Sequence, residues 1–352
     1  MAFRFRIDEP ITKGFRRVGT EQIERARRQL AANADPSVEV HEARKCLKRI
    51  RALLRLGRAG LGEAAFRAEN AQFRSIASSL ASARDDHVLL ETITKLTAEG
   101  GGRVGPALLR LKEAVLAQRA PVADGAADGR ADAVAALERA LRRFRRLSLA
   151  PDSFDTLERG LVRNYRKGLA ARDAAFASNT DEAYHDWRKC VQTHWRHMAL
   201  LSRAWPALFE AHIEAARALS QTLGDDHDLA LLREKLAALQ PGSLSIEDVQ
   251  AIEDLIRARQ AALRLAARSQ GDMIFAERPK AHGRRIAAVW AAAVARSRSA
   301  ARSGKDAAPA KGARAKAPGP VEAEPSEARS EKGRDTYLGD PQEAERRRHG
   351  IR

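Results

Sequence analysis

Residues 40–56, VHEARKCLKRIRALLRL, combine His41 with Arg44, Lys45, Lys48, Arg49, Arg51 and Arg55, against one acid, Glu42. Wound as a helix, His41, Arg44, Lys45, Lys48, Arg51 and Arg55 share one arc. Ala43, Cys46, Leu47, Ile50, Leu53 and Leu54 fall opposite. One glutamate cannot neutralise that face by intrahelical pairing, and like charges at these spacings repel. The chemistry on offer is anion binding. Arg presents a planar fork to phosphate oxygens, Lys a mobile point charge, and a histidine beside phosphate is drawn toward its charged, donating form. At about 1.5 Å rise per residue the arc spans roughly 20 Å, which suits a chain of phosphates better than a single group.

A second segment, YHDWRKCVQTHWRHMALL, opens the same way: His185, Arg188, Lys189 and Cys190 follow His41, Arg44, Lys45 and Cys46 by 144 residues. Arg196 and Arg203 share its polar arc. Gln192 and Trp195 stand where the first copy has Lys48 and Arg51, so this stripe is thinner. RDDHVLL at 84–90 and HDLALLR at 227–233 recur at an offset of 143. A period this long implies a duplicated domain, not a solenoid. Two such helical bundles face to face would enclose a basic cleft at a pseudo-twofold interface. Lys13, Arg16 and Arg17, then Arg163, Arg166 and Lys167, then Lys280, Arg284 and Arg285, offer further walls for it.

Other chemistries fit less well. Asp85, Asp86 and His87, and Asp225, Asp226, His227 and Asp228, could hold a divalent ion in the manner of a metal-dependent phosphohydrolase. At helix starts the same acids would satisfy free N–H groups and the macrodipole, and that is the expectation. His41 and His185 have no nucleophile or metal partner at fixed spacing. No catalytic residue, metal ligand or cofactor is therefore assigned. Cys46, Cys190 and His194 lie on apolar arcs and should be core residues. Nucleic acid is the main rival ligand, since its phosphates attract the same field. Base recognition, however, uses aromatic platforms or Asn/Gln-bearing recognition helices, and the chain has three Tyr and four Trp.

The elements that must carry these stripes are helices. The chain has 352 residues, 44% of them hydrophobic but only 5% aromatic, and a formal net charge of +17, which calls for an anionic partner. Helical patterns are expected at about 8–32, 37–58, 62–82, 85–99, 104–119 and 129–147. After the LAPDSFD break they resume at 154–178, 181–203, 207–223, 226–239, 246–270 and 277–297. Ser37 is the expected N-cap of the stripe helix. The expected organisation is all-α: a first half over 1–150, a second over 151–297, and a disordered tail over 298–352 that is poor in large apolar residues. Two cysteines imply no disulfide framework. No leader or membrane-length apolar run is read, so a cytoplasmic protein without membrane insertion is expected.

Taken together, the His41 and His185 segments, RDDHVLL, LGDDHDLALL and the closing FAERPKAHGRRIAAVW resemble the CHAD domain, the conserved-histidine α-helical domain, over about residues 8–297. The resemblance implies two pseudo-symmetric helical bundles around a central basic channel. It also implies binding of inorganic polyphosphate and association with polyphosphate granules. By position it carries the family's histidines onto His41 and His185, and its basic residues onto Arg44, Lys45, Lys48, Arg51, Arg188 and Lys189.

Overall fold

Alanine, leucine and arginine are good helix formers, and amphipathic repeats of them leave no other regular structure available. The computed structural model describes residues 3–32, 35–80, 85–99, 104–118 and 125–306, and among them there are helices and no strands. In order they are α1 (Ile11–Leu30), α2 (Pro36–Leu56), α3 (Arg58–Leu61), α4 (Glu63–Ser79), α5 (Asp85–Glu99) and α6 (Val104–Ala117). There follow α7 (Gly125–Phe144), α8 (Phe154–Ser178), α9 (Asp181–Leu201), α10 (Pro206–Ala237), α11 (Ile246–Ile274) and α12 (Pro279–Asp306). The expected tail starts later than 298, because α12 runs on to Asp306; the remainder, 307–352, lies outside the described residues.

The stripe helix α2 buries the predicted face completely: Ala43, Cys46, Leu47, Ile50, Leu53 and Leu54 are all inaccessible. Its N-terminus differs from expectation. Asp35, not Ser37, caps it, accepting from the Val38 amide at 3.2 Å. Helices α2 and α9 are both 21 residues long. The largest apolar cluster does not divide at residue 150. It joins Leu53 and Leu54 of α2 and Phe144 of α7 to Leu157 and Leu161 of α8 and Leu200 of α9. A second cluster joins Ile93 of α5 and Leu108 of α6 to Leu232 of α10 and Ile256 of α11.

The expected break near residue 225 is absent. Helix α10 is continuous from Pro206 to Ala237, so Asp225, Asp226 and Asp228 stand mid-helix and cannot cap free amides. Side chains partner them instead. Asp226, 2% exposed, accepts from Arg264 Nε at 2.9 Å, and Arg264 also pairs with Asp181 at the start of α9. In the first half Asp85, Asp86 and His87 do stand at a helix start: α5 begins at Asp85. The side chains of Asp85, Asp86 and His87 lie outside the described residues.

Two contacts fix α2 against the following half. Gly160 of α8 lies flat on the Leu56 carbonyl, where any Cβ would collide with that oxygen. His197 of α9 places Nε2 2.9 Å from the Ala52 carbonyl oxygen. Replacement Gly160→Ala should push α8 off α2 and lower stability by about 1–3 kcal/mol, as overpacking does. A drop in the urea midpoint with an unchanged slope is the expected reading.

Candidate functional site

On α2 the cationic arc survives folding, with a graded supply of partners. Lys45 Nζ lies 2.9 Å from Glu42. Burial pushes the Glu42 carboxyl up, but its hydrogen bond to Lys45 and the charges of Lys45, Arg25 and His41 outweigh this and hold it below the usual range. Arg44 Nη1 donates to the Ala77 carbonyl at 3.0 Å, while its buried Nε has no partner. Lys48 is exposed. Toward the C-terminus the acids stop. Arg51 reaches only the Asn70 side-chain oxygen, at 3.3 Å, and Arg74 of α4 adds a like charge beside it. Arg55 is pushed down to about 10, by burial first and then by Arg51, with a smaller push from Arg58. Neither Arg51 nor Arg55 has a carboxylate within ion-pair distance among the described residues.

The α9 face carries more acid. Arg188 is half-buried against Gly224, with Nε lacking a partner and Nη1 4.0 Å from Asp228. Burial pushes its pKa down, against the pull of Asp228 and Asp225. Lys189 is exposed and paired with Asp186. His185 stacks on His227 with ring centroids 4.0 Å apart. Burial, then Lys189 and Arg188, lowers the His185 pKa, and its buried Nδ1 is unpartnered.

Cys190 of α9 is a buried free thiol on which both Arg55 of α2 and Lys167 of α8 act electrostatically. Three other predicted residues are placed differently. Arg17 is committed to Glu9 at 2.5 Å, to Glu21 at 3.4 Å and to the Arg4 carbonyl. Arg196 is buried, stacked 4.1 Å from the Trp195 ring and donating to the Gln192 carbonyl at 2.6 Å. Arg203 lies beyond the end of α9. Lys13 is exposed on α1 and carries no ion pair.

Arg163 and Arg166 line an open cleft of about 710 Å³ along α8, with α3 and α12 as its other walls. The cleft also brings in Arg58, Arg159, Lys280 and Arg284. Arg58, Arg74 and Arg159 carried no sequence signal beyond their charge, because each joins the surface only through helix packing. Arg285 turns away from this group and pairs with Glu277 at 2.7 Å. Among the described residues, no group of three or more His, Cys, Asp or Glu side chains is placed to hold a metal ion, and no helix is long and apolar enough to cross a membrane.

The CHAD domain family model matches residues 18–237, a span that contains both stripe helices. No curated protein matches the chain.

Histidines outside the stripes form a buried group. His194 and His212 approach at 2.7 Å between their Nε2 atoms, and His282 stacks 4.3 Å from Tyr165 while facing Glu277 at 3.2 Å. Burial pushes His197 down to about 3; burial outweighs the pull of Glu277 and takes His282 down to about 4. An unfolded histidine takes up its proton near 6.5, so these rings stabilise the fold fully above that pH. Their contribution is lost as pH falls from about 6.5 toward 4, by at most about 1.4 kcal/mol per pH unit for each ring. The urea midpoint should therefore fall steadily across that window, and less steeply in His197→Gln. Equal slopes in the two proteins would contradict the assignment.

Proposed function

The chain belongs to the CHAD domain family, and from that premise we propose that it binds inorganic polyphosphate, without catalysis, along the cationic face that α2 shares with α8 and α9. The observation that carries this is the state of Arg51 and Arg55: packed beside each other, with Arg58 and Arg74 near, and no carboxylate among the described residues to discharge them. Elsewhere the chain pairs its partly buried arginines with acids, as in Arg130 with Glu39 and Arg143 with Glu69. An unpaired group of this kind calls for an external anion.

In this reading Arg51 and Arg55 fork onto phosphate oxygens, and Arg44 and Arg188 add their charge. Lys45, Lys48, Lys167 and Lys189 supply the field. His41 and His185 donate hydrogen bonds, which a neutral imidazole can do through one nitrogen. Duplication of an ancestral unit is part of the reading, supported by α1, α2 and α4 starting 143 to 145 residues before α8, α9 and α10. A channel between the halves, and residence at polyphosphate granules, belong to the same proposal.

The test is the pair Arg51→Glu with Arg55→Glu, which reverses both charges beside Arg58 and Arg74 and should leave the fold intact by urea denaturation. Long-chain polyphosphate affinity should fall by at least about tenfold, with a shallower dependence on salt because fewer counterions are displaced. Undiminished affinity in the folded variant would overturn the site. Equal displacement of labelled polyphosphate by duplex DNA would overturn the ligand, and steady phosphate release with added Mg²⁺ would overturn the absence of catalysis.

A further inference from the structure

The cleft along α8 is separate from the α2 arc and differently built. Arg159, Arg163 and Arg166 recur on one face of α8, Lys280 and Arg284 face them from α12, and Arg58 closes the third side. Only Arg58 is paired, with Glu63 at 2.5 Å; the other five cations have no ion pair among the described residues. The walls are held close by small residues. Gly160 lets α8 touch the end of α2, and a Cβ on Gly283 of α12 would collide with the Val162 side chain.

The cleft is also polar from end to end. Helices α8 and α12 run antiparallel, since His282 stacks on Tyr165 and Trp290 on Phe154. Lys280 therefore belongs to the Arg166 end. Of the carboxylates that line the cleft, Asp155 and Glu158 lie toward the start of α8, where Glu158 also neighbours Gly283, and Glu63 is taken up by Arg58 and Arg67. From Asp155 to Arg166 is about 16 Å along the helix. Next to Arg166 on α8, Lys167 is exposed and acts electrostatically on Cys190, as Arg55 of α2 does.

We propose that this cleft is a seat for the end of a phosphate chain, and hence a site for short inorganic oligophosphates. The proposal rests on the polyphosphate reading above. A terminal phosphate has a second ionisation near neutral pH that internal phosphates lack, so the end of the chain carries the most charge per unit. Five unpaired cations around one open volume match that density, and Arg offers the bidentate geometry for it. Asp155 and Glu158 toward the start of α8 carry no ion pair among the described residues and repel continuation of the anion, so a chain end stops there instead of threading through.

Titration of inorganic tripolyphosphate and of long-chain polyphosphate into three proteins tests this: wild type, Arg163→Glu with Lys280→Glu, and Arg51→Glu with Arg55→Glu. Tripolyphosphate affinity should fall by about tenfold or more in the cleft variant, by loss of two phosphate contacts, and fall by less in the α2 variant than in the cleft variant. Both residues of the cleft pair are exposed, and Arg163→Gln with Lys280→Gln repeats the test without charge reversal. Tripolyphosphate binding by the cleft variants at wild-type strength would overturn the cleft proposal alone. Long-chain affinity undiminished in the α2 variant would instead overturn the reading on which it rests.

Discussion

Arg55 is a cation placed where a cation is costly. Burial first and then the like-charged Arg51 push its pKa down to about 10, so the charged form is disfavoured in the folded protein. At about 10 it is still protonated at neutral pH, so the cost stays in the folded protein and is not relieved by losing the proton. An anion that reached Arg51 and Arg55 together would remove that cost as well as add its own hydrogen bonds. The proposed function follows from this stored repulsion more than from net charge, which +17 spread over a surface would satisfy with counterions.

The fold imposes the crowding. One face of α2 is committed to the core. On the other, Ala52 is 1% exposed because His197 of α9 presses onto its carbonyl. The end of α2 is seated on Gly160 of α8. Side chains flanking these two contacts cannot move apart without unpacking helices. The acids that could have relieved them are committed elsewhere, in pairs that hold the helices in place: Glu9 with Arg17, Glu39 with Arg130, Glu69 with Arg143, Asp181 and Asp226 with Arg264. Carboxylates thus serve the scaffold, while Arg51 and Arg55 on α2 and Arg159, Arg163, Arg166, Lys280 and Arg284 in the cleft have no carboxylate within ion-pair distance among the described residues.

The α2 arc was legible because it is a local property: a histidine, five cations and an apolar face set by helical period alone, and burial follows the period at Ala43, Cys46, Leu47, Ile50, Leu53 and Leu54. What folding decided at long range was not legible. Arg17 looks like Arg16 and Lys13 in the sequence, and only the return of Glu9 against α1 neutralises it. Asp226 reads as a helix cap until Arg264, 38 residues on, is brought to it and lets α10 run through. Ala52 was the one overlooked local clue: a small residue inside a charged arc marks where another helix comes close.

The repeat in sequence does not produce a repeat in charge. Position 52 is alanine in α2, and its counterpart in α9 is Arg196, which is folded onto Trp195 with Arg217 4.7 Å from the same ring. Arg188 and Lys189 have Asp228 and Asp186 at hand, whereas Arg51 and Arg55 have no acid among the described residues. A phosphate chain laid across both helices would therefore displace carboxylates on the α9 side and meet open cations on the α2 side. Displacing an internal ion pair returns less than filling an empty one, because the carboxylate released must be resolvated. The grip should be uneven, strongest from Arg51 to Arg55 and onward through Lys167 toward the cleft, with α9 serving more to wall the path than to hold the ligand.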